Sequence, residues 1–322
     1  MKKIITASVA LSVLLGITLG GCDSRVVIDP QPIATLYKYL AEYKQMPEWR
    51  RDSFETVDSL PLRAMFSFMG VDSLGDSVLV RWSESPQVKI FTPSVDSVYK
   101  TLKPIEATLG RIEAKAQNEG FVLPHRSYAA VVWGNSKSVV LTDSCVLIAL
   151  NHYLGPDYIG YKGWPEYLRL QKSPEQLPYD VTEALLATQY PYNPGKENTV
   201  LSRIAYEGAL IMAKVRLVPQ GTLERALGCT ATELQWLEHN QADIWNMLVA
   251  KEFLYSTSQE VASRLVDPAP RTSVLGAEVP GRAGRFLGYY LILQYLQANP
   301  ETSLPSLLQP GFYTNPAVLI SE

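Results

Sequence analysis

Two glutamates, Glu183 and Glu207, lie on successive predicted helices at a spacing that suits metal chemistry. A zinc peptidase with a glutamate ligand carries His-Glu-x-x-His on one helix, so that both histidines share a face, and takes its third ligand from a later helix. Glu183 and Glu207 fit the two glutamate positions of this pattern. Thr182 and Leu186 occupy the histidine positions, and neither side chain binds zinc as imidazole does. We therefore expect no metal ligands and no catalytic residues here.

The spacing of the three histidines does not match that of a zinc site. His239 and Asp243 are four residues apart on one predicted helix face, but two ligands do not make a zinc site. His125 precedes a predicted strand, and His152 opens a loop. The nucleotide-binding and serine-hydrolase signatures, G-x-S-x-G, the P-loop and G-x-G-x-x-G, do not occur. One alternative stays open, a hydrolase that combines the two glutamates with His152 or His239.

A long aromatic loop, residues 151–179, is the second candidate for function. It carries several tyrosines and a tryptophan among glycines and prolines, and long loops with their own aromatic packing are often functional. Aromatic side chains are enriched at protein interfaces. We interpret Tyr158, Tyr161, Trp164 and Tyr167 as candidate interface residues. Internal packing over the core is the equal alternative, and a carbohydrate-binding surface that uses Trp164 is a third.

Arg282 and Arg285 stand near the glycine-rich start of the last long predicted helix. They can donate to a carboxylate or a phosphate, and we favour a structural ion pair. The neighbouring glycines do not match dinucleotide-binding spacing, so we expect them to allow close packing of helices. Cys145 and Cys229 can form a disulfide or remain as small buried side chains, and we favour the latter because free cysteine is commonly buried.

The amino terminus indicates a lipid anchor. Lys2 and Lys3 precede an apolar run that ends in Leu-Gly-Gly-Cys22, which resembles the signal peptide of a bacterial lipoprotein. We predict a signal peptide at 1–21, lipid attachment at Cys22 and a tether at 22–33. The expected modification is a covalent diacylglycerol with an N-acyl chain, and we expect no other cofactor. Two or more acyl chains hold a protein stably on a bilayer.

Charge argues against one class of partner. The net charge of the 322-residue chain is −3, and it becomes −5 when Lys2 and Lys3 leave with the signal peptide. Nucleic-acid binding through a basic surface is therefore disfavoured. We expect the lipid anchor to bring the chain to a membrane, with envelope proteins as further partners.

Periodicity predicts a helix-rich α+β domain over 34–322. The middle of the chain contains β-rich runs, with a hairpin signal at Gly134-Asn-Ser136 between two of them, and helical patterns follow. We expect a small antiparallel sheet in the middle, followed by a helical half. The predicted elements are helices at 34–46, 95–118, 180–189, 199–217, 230–255, 257 onward and 282–298, and strands at 87–92, 127–133, 137–141 and 145–150.

The part of the chain from about residue 140 to residue 310 resembles the gliding-motility lipoprotein GldB family of Bacteroidota. The order of several short pieces carries the resemblance rather than any one of them. These pieces are Leu150-Asn-His-Tyr-Leu-Gly-Pro-Asp157, Gly163-Trp-Pro-Glu-Tyr167, Tyr206-Glu-Gly208, Trp236-Leu-Glu-His-Asn240, Leu254-Tyr-Ser-Thr257, Asp267-Pro-Ala-Pro270 and Val279-Pro-Gly-Arg282.

The resemblance implies a lipid-anchored envelope protein, at the outer membrane, associated with gliding motility and the type IX secretion apparatus. The family is also distantly similar to zinc-peptidase-like domains, which implies a zincin-like fold. On that interpretation Glu183 and Glu207 mark a relic cleft, and the chain is a non-catalytic scaffold or accessory factor. A zinc-peptidase-like hydrolase with an atypical or degenerate metal site is the alternative.

Overall fold

The computed structural model describes residues 28–48, 51, 59–71 and 75–319. The predicted signal peptide, Cys22 and the first half of the predicted tether lie outside the described residues. The second half of that tether belongs to the folded domain, contrary to the prediction. Pro30 packs closely on Gly110, and Ile33 begins the first strand.

A four-stranded sheet forms the centre of the amino-terminal half. Its strands are β1 (Ile33–Ala34), β2 (Ser127–Val131), β3 (Val139–Leu141) and β4 (Cys145–Ala149), in the order β1-β2-β4-β3. The β1–β2 and β2–β4 pairs are parallel, and the β3–β4 pair is antiparallel. The helix-rich α+β class is confirmed, but the sheet is mixed rather than antiparallel.

The hairpin expected at residues 134–136 does not form, because β4 inserts between β2 and β3. All five residues of β4 are buried, as expected for a central strand with cover on both faces. One face, which includes Ala130 and Ile148, meets the large core of the carboxy-terminal helices. The other face, which includes Val131 and Leu147, meets a smaller core of amino-terminal helices.

Five helices with described bounds lie before residue 120, in the part of the chain that the structure describes. They are α1 (Leu36–Glu42), α2 (Ser59–Phe68), α3 (Asp76–Ser83), α4 (Pro86–Val98) and α5 (Lys103–Asn118). A short 3-10 segment, Tyr43–Gln45, extends α1.

The strand predicted at 87–92 is wrong, because those residues lie in α4. Ser85 caps this helix through the Val88 amide, and Pro86 starts it at a position that needs no amide donor. Val88 and Val95 are both buried, seven residues apart on one helix face. The helix predicted from residue 95 is divided between α4 and α5, and α5 restarts with Pro104 in its first turn.

Helices build most of the chain after β4. They are α6 (Glu166–Arg169), α7 (Leu177–Gln189), α8 (Val200–Leu217), α9 (Leu223–Leu227), α10 (Ala231–His239), α11 (Gln241–Ala250), α12 (Gln259–Val266), α13 (Ala283–Ala298), α14 (Leu304–Leu307), α15 (Pro310–Tyr313) and α16 (Pro316–Leu319). Among the described residues, no helix combines the length and apolar composition needed to cross a bilayer.

Capping residues fix the starts of several of these helices. Thr199 caps α8 and Thr230 opens α10 with the predicted capping box to Glu233. The helix predicted over 230–255 is interrupted at Asn240, which separates α10 from α11. The helix predicted from Asp180 begins three residues earlier, at Leu177, with Pro178 in its first turn.

Glycines on both helices allow α8 and α13 to cross in close contact. A β-carbon on Gly208 would overlap the backbone of Gly288, and one on Gly288 would overlap the carbonyl oxygen of Ile204. Gly284 likewise faces the backbone of Leu265 in α12. The predicted use of these glycines in close helix packing is confirmed. The crossing sets Glu207, next to Gly208, beside the first turn of α13.

Candidate functional site

Glu183 on α7 and Glu207 on α8 come together, but around an arginine rather than an open cleft. Nη2 of Arg285, in the first turn of α13, lies 3.0 Å from Oε1 of Glu183 and 2.8 Å from Oε2 of Glu207. Glu207 is almost completely buried, and Glu183 is half-buried. The glycine crossing described above is what brings the guanidinium to both carboxylates.

Two further cations complete this cluster. Lys214 is almost completely buried, which is rare for a lysine. It donates to Oε2 of Glu183 at 2.5 Å and to the carbonyl of Ala226 at 2.7 Å. Nη2 of Arg203 lies 2.7 Å from Oε1 of Glu207. We call Glu183, Glu207, Arg285, Lys214 and Arg203 the ion-pair cluster. Each carboxylate in it contacts two cations.

The charges of the cluster shift the pKa values of its members. Burial by itself would raise the pKa of Glu183, but Arg285 and Lys214 outweigh it and hold that pKa well below its usual range. Burial would lower the pKa of Arg285, and the two carboxylates instead raise it. Burial lowers the pKa of Lys214, against the attraction of Glu183. The two best paired groups, Glu183 and Arg285, are therefore held in their charged forms.

This arrangement is unsuited to hydrolysis by a bound metal. A metal ion would have to displace Arg285 and Lys214 from the carboxylates, and Coulomb repulsion opposes a third cation at that distance. Thr182 donates its hydroxyl to the carbonyl of Pro178, and Leu186 lies in the core. Within the described part of the chain, no group of three or more His, Cys, Asp or Glu residues is arranged to hold a metal ion.

A second polar group lies where the chain leaves β4. The hydroxyl of Ser138 accepts a hydrogen bond from Nζ of Lys172 at 2.8 Å and is 3.1 Å from Nδ1 of His152. Burial, with the nearby charge of Lys172, lowers the pKa of His152 to about 3, so this imidazole is neutral at physiological pH. Burial also lowers the pKa of Lys172. The hydroxyl of Tyr153 donates to Asp180 at 2.8 Å on α7.

Within the described residues, no hydrogen bond or ion pair joins any of the three histidines to Glu183 or Glu207. His152 pairs with Ser138, and its ring meets Trp164 edge to face. His125 lies beside Gln31, and His239 lines an open surface cavity between α10, α11 and α13. Asp243, four residues after His239, does not line that cavity.

The aromatic loop divides into buried and exposed members. Tyr161 is buried, and its hydroxyl donates to the carbonyl of Asn151 at 2.5 Å and accepts from the amide of Leu154. Tyr158 is half-buried, between Phe91 and Tyr161. Tyr161 cannot reach a partner from this position, so the structure removes it from the candidate interface.

The exposed part of this loop is a small apolar surface. Trp164 is 37% exposed, stacks on Tyr161 with ring centroids 5.3 Å apart, and has the Lys172 ammonium 5.5 Å from its ring centre. Ile159 and Leu170 are 64% and 40% exposed. Tyr167 is half-buried. Tyr158, Trp164 and Tyr167 thus remain candidate interface residues, and Ile159 and Leu170 join them.

Substitutions in the loop separate its core residue from its surface. We expect Tyr161→Phe to lower the free energy of unfolding by about 1–2 kcal/mol, because the buried carbonyl of Asn151 loses its donor. Ile159→Ala on the same loop is expected to change it by less than about 0.5 kcal/mol. Equilibrium denaturation of both variants measures the difference. Equal effects would show that the Tyr161 hydroxyl does not hold the loop.

Arg282 and the two cysteines have structural surroundings. Nη1 of Arg282 donates to the carbonyl of Leu227, and Nη2 donates to Oε1 of Gln171 at 2.7 Å, which ties α13 to the aromatic loop. Burial lowers the pKa of Arg282 to about 10. Cys145 and Cys229 are free thiols, buried in β4 and half-buried after α9. Of the two arginines for which an ion pair was predicted, Arg285 forms one, whereas Arg282 donates to a carbonyl oxygen and to a side-chain amide oxygen.

Sequence reasoning missed two members of the ion-pair cluster, Lys214 and Arg203. Each had a local signal. Lys214 interrupts the apolar run Ala209-Leu-Ile-Met-Ala213, where a lysine has to be paired, and Arg203 stands four residues before Glu207 on one helix face. The Ser138 group gave no signal, because its members come from three separate segments.

A family comparison matches most of the chain. The family described as gliding motility protein GldB matches residues 36–314, from α1 to the end of α15. No curated protein is significantly similar to the chain, and no solved structure is either. The match covers both the sheet and the helical half, including every member of the ion-pair cluster.

Proposed function

Because the chain belongs to the gliding motility protein GldB family, we propose that it is a lipid-anchored, non-catalytic scaffold or accessory factor of the gliding-motility machinery. The membership makes it a gliding-motility-related protein with the features of an envelope lipoprotein. The proposal adds the scaffold role, service to the type IX secretion apparatus, and outer-membrane attachment through lipid on Cys22. It names no substrate and no dissociable cofactor.

The engagement of Glu183 and Glu207 by cations is the observation that carries this proposal. In a peptidase of the kind considered above, one of these carboxylates would be the general base and the other a zinc ligand. Here Arg285 links them directly, and Lys214 and Arg203 occupy their remaining oxygens. The positions that could do the chemistry are used to join α7, α8 and α13. The conformations of the two glutamate side chains are therefore fixed by ion pairs that hold the three helices together.

Metal analysis tests the non-catalytic part of the proposal. We expect the purified chain, produced in zinc-supplemented medium, to contain no stoichiometric metal and to give no heat of zinc binding in calorimetry. Glu207→Gln serves as the matched variant, and it should behave the same. One zinc per chain, lost in Glu207→Gln, would contradict the proposal and favour the peptidase alternative.

Serine chemistry needs a separate test, because Ser138 lies between an amine and an imidazole. A serine-reactive fluorophosphonate should leave the folded chain unlabelled. In cells that lack the chromosomal copy, Ser138→Ala and His152→Gln should restore gliding or secretion as fully as the unaltered chain, whereas Cys22→Ser should not. Labelling at Ser138 together with failed complementation by Ser138→Ala would make the chain an enzyme.

A further inference from the structure

The position where the lipid tether enters the fold restricts which surface can meet the membrane. Cys22 and Ile28 are six residues apart, so the chain between them can extend about 20 Å at most. Ile28 is already part of the folded domain: its carbonyl oxygen and Pro30 lie against α5, within 3.5 Å of where a β-carbon on Gly110 would stand. The anchor is therefore close to this side of α5.

This entry point lies at the amino-terminal ends of the parallel strands β1 and β2, which we call the amino-terminal edge of the sheet; the side at the carboxyl ends of β2 and β4 is the opposite edge. β1 and β2 are parallel, with Ile33 opposite Tyr128, so the segments that precede both strands lie side by side. Nε2 of Gln31 accordingly lies 3.3 Å from Nδ1 of His125. The two segments, 28–31 and 120–126, together line a cavity of about 570 Å³. Val122, at its rim, is 71% exposed.

The exposed part of the aromatic loop lies at the other edge. β4 is parallel to β2, and the loop follows the carboxyl end of β4. Trp164 is placed at the carboxyl end of β4 by its ring contact with His152, three residues after that strand. Helix α7 runs between the two ends of the sheet. It begins at Leu177, just after the loop, and ends at Gln189; the next residue, Tyr190, accepts a hydrogen bond from the Val122 amide at 3.0 Å. Its 13 residues correspond to about 20 Å.

The separation of the two edges, about 20 Å along α7, is as long as the tether at full extension. A tether attached at one edge keeps that edge near the bilayer, and the opposite edge would reach the bilayer only with the tether fully extended, which costs conformational entropy.

We propose that the amino-terminal edge of the sheet, marked by Val122, faces the bilayer that holds Cys22, and that the edge with Ile159 and Trp164 faces away from it. This inference rests on the lipid anchor of the proposed function. It goes further, because it assigns the membrane-facing surface of the folded domain.

Fluorescence quenching in proteoliposomes tests the orientation. Val122→Cys and Ile159→Cys form a matched pair, because both replace an exposed aliphatic side chain. Burial raises the pKa of Cys145 to about 11 and that of Cys229 to about 12, so a thiol-reactive fluorophore applied at neutral pH goes to the introduced cysteine. The chain without either substitution gives the background labelling.

The labelled chain, expressed from its full-length sequence so that Cys22 can be lipidated, is mixed with phosphatidylethanolamine and phosphatidylglycerol vesicles that carry a nitroxide on the lipid headgroup. We expect at least about twofold stronger quenching at position 122 than at position 159, since about 20 Å separates the two edges. Insertion of a Gly-Ser segment of about twelve residues after Ser24 should reduce this difference, because it about triples the reach of the tether.

The outcomes separate the two proposals. A chain that fails to float with the vesicles has no lipid anchor, and the proposed function fails together with the orientation. A chain that floats, but shows equal quenching at both positions or stronger quenching at 159, overturns the orientation alone.

Discussion

Replacement of Gly208 by alanine is expected to lower the free energy of unfolding by about 3 kcal/mol, the upper end of the usual cost of overpacking. The added β-carbon would overlap the backbone of Gly288, and backbone atoms of a helix cannot move aside as a side chain can. Helices α8 and α13 would have to separate, and Arg285 would move away from Glu207 with them. Chemical denaturation of the purified chain measures the effect.

Gly311→Ala is the matched control, since Gly311 is also in a helix but has no atom within 4 Å of the β-carbon position. Alanine there is expected to be neutral or to stabilise by about 0.5–1 kcal/mol, because it restricts the unfolded chain. If Gly208→Ala were as harmless as Gly311→Ala, the two helices would not be in contact at this crossing.

Loss of the central cation should have a comparable effect. Arg285→Met is expected to lower the free energy of unfolding at pH 7 by about 3 kcal/mol, because it leaves two carboxylates, one of them buried, with a single cation each. Arg264→Met is the control. Arg264 pairs with Glu260 on the exposed face of α12, and removal of such a surface pair costs less than about 1 kcal/mol.

The deficit of Arg285→Met should depend on pH in a defined direction. The pKa of Glu183 is lower in the folded protein than in the unfolded chain, so its ionisation stabilises the fold above the unfolded pKa of about 4.3. This contribution is lost as the pH falls through the folded pKa. Because Arg285 supports that low pKa, the difference between the two proteins should shrink below about pH 4.5. A deficit independent of pH would assign the effect to packing.

The local structure of the helical half could be predicted from the sequence, because its signals are local. Thr199 and Thr230 cap the helices expected of them, and the glycines before and within α13 allow the predicted close packing. The strand predicted at residues 87–92 fails for a related reason. Six residues of alternation are also compatible with a helix, and Ser85 with Pro86 starts one.

The order of the strands and the ion pairs of Glu183 and Glu207 depend on long-range contacts, which the periodicity of the sequence does not encode. A turn signal at residues 134–136 says nothing about a later strand that inserts beside β2. Glu183 and Glu207, which the motif comparison paired, both contact Arg285. That comparison did not reveal that Arg285, about 80–100 residues further along the chain, occupies the space between them.

The pairing of β1 has a mechanical consequence for an anchored protein. A pull on Cys22 would enter the domain along β1, and because β1 runs parallel to β2, that force would shear their hydrogen bonds together instead of opening them one by one. Two residue pairs join β1 to β2, against five between β2 and β4. The Ile33 amide, which donates to Oε1 of Glu106 at 2.9 Å, and the contacts of Pro30 and Gln31 share the load at β1. If the chain is anchored as proposed, tension on the tether would therefore separate β1 from β2 before it disturbs the buried centre of the sheet.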